Sequence, residues 1–177
     1  MRVRGSLPLL VSALFVMPAA VSAQEKGRTG VTMGYPESVG VLWHVSDKMA
    51  LRPEFSFAHT STDSNLPFAT DTSSTAVGVG LSALFYLSDR DNLRPYVAPR
   101  WSYAHSEPGA LGSSLDANTI EGLVGAQYAV GKRFSVFGET GLSYVHSTGK
   151  ADVGAAAITS HGNTIATHTA AGVIVYF

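Results

Sequence analysis

The chain has no cysteine among its 177 residues. Disulfides, thiol chemistry and a lipid anchored on an N-terminal Cys are therefore excluded, and rigidity has to come from the fold itself. Charge is also scarce. Asp, Glu, Lys and Arg make up 14% of the residues, against ~25% in an average soluble domain. The formal net charge of −1 offers no basic face for nucleic acid. Beyond the first two dozen residues no run of about 18 apolar residues occurs, so no transmembrane helix is encoded there. A chain that spans a bilayer without such a run has to do so as a closed barrel, the other structure whose backbone groups are satisfied internally.

The N-terminal stretch is of a different kind. Arg2 and Arg4 precede a short apolar segment at 7–17, interrupted by Pro8 and Ser12. Pro18 then leads to Val21-Ser22-Ala23, a small-residue cleavage pattern. Positive charge, a short apolar segment and small residues in that order predict a secretory signal peptide, too short for a spanning helix. The expected organisation is a signal peptide at 1–23 and one β-barrel domain at 24–177.

What remains alternates with period 2. Eight strands are expected at 28–34, 39–45, 49–59, 74–87, 93–105, 117–130, 134–146 and 163–177. In the clearest, Val77, Val79, Leu81, Ala83, Phe85 and Leu87 oppose Gly78, Gly80, Ser82, Leu84 and Tyr86. Short turns at 46–48, 88–92 and 131–133 alternate with longer loops at 60–73, 107–116 and 147–162. That is the asymmetry of short periplasmic turns and longer external loops. The fold class read from these features is all-β, an eight-stranded antiparallel up-and-down transmembrane β-barrel. Pro53, Pro95 and Pro99 fall on the outward face. Pro53 and Pro95 lie near strand starts, whereas Pro99 calls for a local bulge.

Parity sorts the chemistry. Arg52, Glu54, Arg94, Arg100, Glu121, Gln127, Glu139 and His168, with His44, share the face opposite the apolar residues. Both signs are present, and a barrel of eight strands is just wide enough for side chains to fill. A hydrogen-bonded interior network follows, because buried charge must be paired or wet. Inward Gly78, Gly80, Gly125, Gly141 and Gly172 leave room for long Arg side chains. Three upward strands end alike, Phe57-Ala58-His59, Tyr103-Ala104-His105 and Tyr144-Val145-His146. One environment recurs around a ring, which fits an aromatic at headgroup depth followed by a polar collar. These three His lie on strands about 2 × 4.8 Å apart, too far for a shared zinc with bonds of about 2.0–2.1 Å. No metal site is expected.

The last residues, Gly172-Val173-Ile174-Val175-Tyr176-Phe177, resemble the terminal signal of bacterial outer-membrane barrels, in which a final Phe recurs. The strand Phe137-Gly138-Glu139-Thr140-Gly141-Leu142-Ser143-Tyr144, Gly-rich with an inward acid, has the same flavour. With the signal peptide and hairpin spacing, the chain resembles the small bacterial outer-membrane β-barrel superfamily, which includes opacity-type and OmpX/OmpA-like barrels. The resemblance implies a bacterial outer-membrane location among outer-membrane lipids and lipopolysaccharide. It also implies delivery by periplasmic chaperones to the barrel-assembly machinery, with Tyr176 and Phe177 as the assembly signal. A monomer without cofactor is expected. Families of this shape serve as adhesins, immune-evasion proteins, envelope stabilisers or small-solute conduits, and some act on lipid A or phospholipid through Ser and His near the external rim. Here His146-Ser147 and Ser160-His161 are adjacent pairs, so their side chains point apart. No nucleophile with a base and an orienting third group emerges, and no enzyme is expected. A surface barrel with a side-chain-filled polar interior and loops available for recognition is the leading reading, with a porin-like conduit second.

Overall fold

A computed structural model describes residues 26–36, 38–62, 72–88, 92–108, 113–153 and 156–177. The segment expected to be a signal peptide, 1–23, lies outside the described residues. The strands are β1 (Thr29–Tyr35), β2 (Ser38–Ser46), β3 (Met49–Thr62), β4 (Thr72–Tyr86), β5 (Leu93–Pro108), β6 (Ser114–Ala129), β7 (Phe134–Val153) and β8 (Ala156–Tyr176). Each pairs antiparallel with its sequence neighbours, and β1 pairs with β8, so the sheet closes into an eight-stranded up-and-down barrel. Closure leaves no long apolar edge at mid-height, and inward and outward residues alternate along every strand.

The outward set is apolar. Val31, Met33, Trp43, Phe55, Val79, Leu81, Trp101, Val124, Leu142 and Val175 are turned away from the interior, with Val79 49%, Leu81 48% and Trp101 47% exposed. The inward set is buried and mixed. Leu42, Leu84, Leu123, Phe137 and Ile174 join Tyr86, Tyr96 and Tyr176 in an interior core. The filling is therefore less uniformly polar than a network of charged side chains alone would be. Gly125 and Gly172 accommodate rings rather than Arg stems. A Cβ on Gly125 would lie 2.6 Å from the Tyr96 ring, and one on Gly172 would lie 2.6 Å from the Phe137 ring.

Two expectations need correction. Residues 147–162 are not a loop: β7 continues to Val153, β8 begins at Ala156, and the register holds from Phe134↔Val175 to Val153↔Ala156. The run is rich in Gly, Ala, Ser and Thr, so the period-2 apolar signal disappears although backbone pairing persists. The connections at 60–73 and 107–116 likewise shorten to 63–71 and 109–113. The asymmetry between the two barrel ends thus comes mainly from strands that run on past the belt. The second correction concerns Pro99. The β4–β5 ladder lapses between Ser82↔Arg100 and Phe85↔Val97 and resumes in the same register. The missing N–H is absorbed without a bulge. The register does shift in β2–β3 between His44 and Ser46, beside a turn.

Candidate functional site

The interior polar residues form two groups at different heights. The lower group sits where β2, β4 and β8 end at the side of the short turns. Gln127 Nε2 donates to Tyr176 Oη at 2.6 Å, and Tyr86 Oη donates to Gln127 Oε1 at 2.8 Å. His44 Nε2 lies 3.2 Å from the same Tyr176 hydroxyl. The Arg94 guanidinium rests 4.1 Å over the Tyr86 ring and donates to the Asp47 carbonyl. Aromatic rings and amides close this end. Of the expected network, Arg94 and Gln127 belong here. Tyr176, expected only as part of an assembly signal, faces inward and is 1% exposed. Parity agrees, since Ile174 and Tyr176 fall on the face opposite Val173, Val175 and Phe177.

The upper group is a continuous arc of alternating charge. Arg52 Nη2 donates to Glu139 at 2.8 and 3.0 Å, and its Nε lies 3.4 Å from Glu54 Oε1. Arg100 Nε lies 3.1 Å from Glu54 Oε2, and Arg100 Nη1 lies 3.4 Å from Glu121 Oε2. His168 Nδ1 ends the arc 3.2 Å from Glu121 Oε1. Strands β3, β5, β6, β7 and β8 all contribute. Tyr96 Oη donates to Glu139 Oε2 at 2.9 Å, and Ser82 Oγ to Glu54 Oε2 at 3.3 Å. Charges this deep are tolerable because each has an opposite partner, and Arg52, Glu54 and Glu139 have further hydrogen bonds. Tyr96 and Ser82 were missed as network members, since neither carries a charge to draw attention.

Above the arc the inward residues are small. Ser56, Ala58, Ala76, Gly78, Ala104 and Ser143 are examples. A cavity of about 250 Å³ opens over the arc, bordered by Glu54, Arg100, Glu139 and His168. Side-chain filling therefore stops at mid-height.

On the outside, the recurring aromatic–His endings build a collar. Tyr103 Oη donates to Asp116 Oδ1 at 2.6 Å, and His105 Nδ1 lies 2.8 Å from the same oxygen. Tyr144 Oη donates to Asn163 Oδ1 at 2.9 Å, and His146 Nδ1 lies 2.8 Å from it. In both, the acceptor stands on the next strand directly opposite the His. His59 Nδ1 pairs with Thr75 Oγ1 at 3.0 Å. His161 stacks on His146 with ring centres 6.2 Å apart. His105 and Asp116 stand above the apolar belt. Their mutual hydrogen bond, with a second that Glu107 accepts from the ring, raises the His105 pKa, while bonds from Tyr103 and His105 lower that of Asp116. His59 and Ser61, two apart on one outward face, are a Ser–His juxtaposition that the sequence reading passed over. The His59 partner is Thr75, across the β3–β4 ladder.

No protein-family model matches the chain, and no curated protein matches it. Among solved structures, CarO of Acinetobacter baumannii is similar at 14% identity, over 86% of this chain and 98% of that one, with a TM-score of 0.44. A major outer membrane protein of Thermus thermophilus is 13% identical over 85% and 98%, with a TM-score of 0.49. CarO2 of Acinetobacter baumannii is 15% identical over 85% and 97%, with a TM-score of 0.42.

Proposed function

We propose that the chain is a bacterial outer-membrane surface barrel whose body is a plugged scaffold and whose upper end is presented outward. One observation carries the reading: a belt of outward apolar side chains ends at a ring of Tyr and His side chains tied to Asp116 and Asn163. An apolar exterior of this extent is unfavourable in water and favourable against lipid. Amphipathic rings whose polar ends find partners belong at the headgroup level. The lower layer of Tyr86, Gln127, Tyr176, His44 and Arg94 argues against a through-going conduit. Recognition is proposed to fall to the β7–β8 extension and the remaining upper connections. The finer readings stand as part of the proposal: kinship with opacity-type or OmpX/OmpA-like barrels, export on a cleaved signal, Tyr176 and Phe177 as assembly signal, contacts with lipopolysaccharide, a monomeric state and no catalysis.

The test is electrical and electrophoretic. The folded chain should migrate differently on gels before and after boiling, and it should give no steady open conductance in planar bilayers. Unchanged migration would overturn the membrane barrel, and a steady conductance would overturn the plug.

A further inference from the structure

The wall of the barrel is not equally high all round. β1 spans 7 residues and pairs with β8 only from Gly30↔Tyr176 to Tyr35↔Ala171. β2 pairs with β3 no higher than Val39↔Phe55. Among the described residues, β8 above Ala171 and β3 above Phe55 therefore lack a strand partner on the sides facing each other. At about 3.3 Å per residue and a tilt of roughly 40°, β1 rises about 18 Å. An outer-membrane apolar band is about 25 Å tall. If the barrel is embedded as proposed above, the β1–β2 turn lies inside that band, and a notch opens sideways above it toward lipid. The cavity over the charged arc reaches this notch, for Pro36 and Ser38 of the turn border it together with Glu54, Arg100, Glu139 and His168.

We propose that the notch admits the head of a membrane-dissolved amphiphile bearing a protonated amine. The head docks on the arc while the alkyl tail stays in lipid. The arc joins three carboxylates, Glu54, Glu121 and Glu139, to two guanidiniums, Arg52 and Arg100, through the contacts described above. Carboxylates outnumber guanidiniums in it by one, in surroundings where an uncompensated charge is costly. His168 Nε2 is buried with no hydrogen-bond partner among the described residues, while Nδ1 faces Glu121. An Nδ1–H tautomer presents Nε2 as an acceptor, and an ammonium brings three donors and the missing positive charge. An anionic head would meet three carboxylates, with both guanidiniums already ion-paired to them. Beside the notch, Tyr35 and Phe55 are exposed on the outer face and offer apolar contact to a tail.

The inference rests on the membrane-barrel reading, and the test keeps the two apart. The full-length chain, refolded in dodecyl maltoside micelles, is first checked for its shift on boiling. Dodecylamine is then titrated at neutral pH while the His168 ring and the backbone amides of Ser38 and Ser56 are followed by NMR. We expect saturable shifts, with butylamine and dodecanoate binding at least tenfold more weakly. Glu54→Gln should weaken dodecylamine at least tenfold. So should Ser38→Trp, which fills the notch and leaves every charge in place. A heat-modifiable barrel without saturable shifts overturns the site alone. Tighter binding of dodecanoate, or undiminished binding by Glu54→Gln, overturns the charge assignment. Equal binding of butylamine, or undiminished binding by a folded Ser38→Trp chain, overturns the lateral route.

Discussion

The hairpins β1–β2 and β7–β8 meet at the seam that closes the barrel, and they are opposites. β1 and β2 have 7 and 9 residues, whereas β7 and β8 have 20 and 21. At the rise and tilt used above, β1 climbs about 18 Å and β7 about 50 Å. In the proposed membrane setting, lipid would constrain only about 25 Å of either. The short hairpin presents an apolar exterior to its top, through Val31, Met33, Val39, Val41 and Trp43. Above Tyr144 and Ile165 the long one is mixed, with His146, Asn163 and His161 beside small residues and an exposed Ile158. On the membrane reading proposed above, hydrophobic alternation follows contact with lipid, not the length of the ladder. One hairpin falls short of the belt and leaves a notch; the other overshoots and stands free above it.

If the lower part of β7 belongs to the core and its upper part does not, substitutions in the two should differ sharply. Glu139→Leu should have the largest effect. It leaves the Arg52 guanidinium with Glu54 as its remaining carboxylate and removes the acceptor of Tyr96 Oη. Breaking a buried ion pair from one side costs about 3–5 kcal/mol, and the surviving Glu54 places this case near about 3. Urea unfolding of the vesicle-embedded chain, followed by Trp fluorescence, measures it. A loss under about 1 kcal/mol would mean that the arc does not hold the barrel together. Above the belt, Lys150 pairs with Thr159. Replacing residues 151–158 with Asn-Gly would close that pair with a two-residue hairpin turn. An exposed two-stranded arm is marginal by itself, so the same assay should register a change of less than about 1 kcal/mol. A loss like that of Glu139→Leu would erase the distinction between the two halves of the hairpin.

The same contrast explains what could be read from the chain before its structure. Inside the belt, parity placed Arg52, Glu54, Arg100, Glu121, Glu139 and His168 on one face, because each is flanked by lipid-facing apolar residues. Above the belt nothing marks the two faces, so a paired stretch such as Ser147↔Gly162 reads as loop. Register was beyond reach for another reason. Glu54 meets Arg100 and Glu121 meets His168 only once the shifts of intervening strands are added up, and no single strand encodes that sum. The low wall at β1–β2 was present in the sequence as a tight connection between two short strands. Its consequence appears only beside β8.

The smallest expected effect lies in the collar, where two hairpins carry one arrangement with different acceptors. β5–β6 uses the carboxylate of Asp116, and β7–β8 uses the amide of Asn163. Hydrogen bonds from the His105 ring to Asp116 and Glu107 raise the His105 pKa above its ordinary 6.5. Hydrogen bonds from Tyr103 and then His105 lower the Asp116 pKa below 3.8. A raised His pKa contributes stability that is complete below 6.5 and fades as pH rises through the folded value; a lowered Asp pKa contributes stability present above 3.8 and lost as pH falls through the folded value. The pair should therefore help most between those limits, and only slightly, because it is exposed and screened. In an NMR titration the His105 midpoint should lie above 6.5 in the native chain and fall back toward it in Asp116→Asn, leaving that site with the same kind of acceptor as its neighbour. The difference in unfolding midpoint between the two chains should shrink as pH rises past the native His105 midpoint. A difference that grows instead would mean that the carboxylate acts on something other than His105, and that the two arrangements are alike in shape but not in electrostatics.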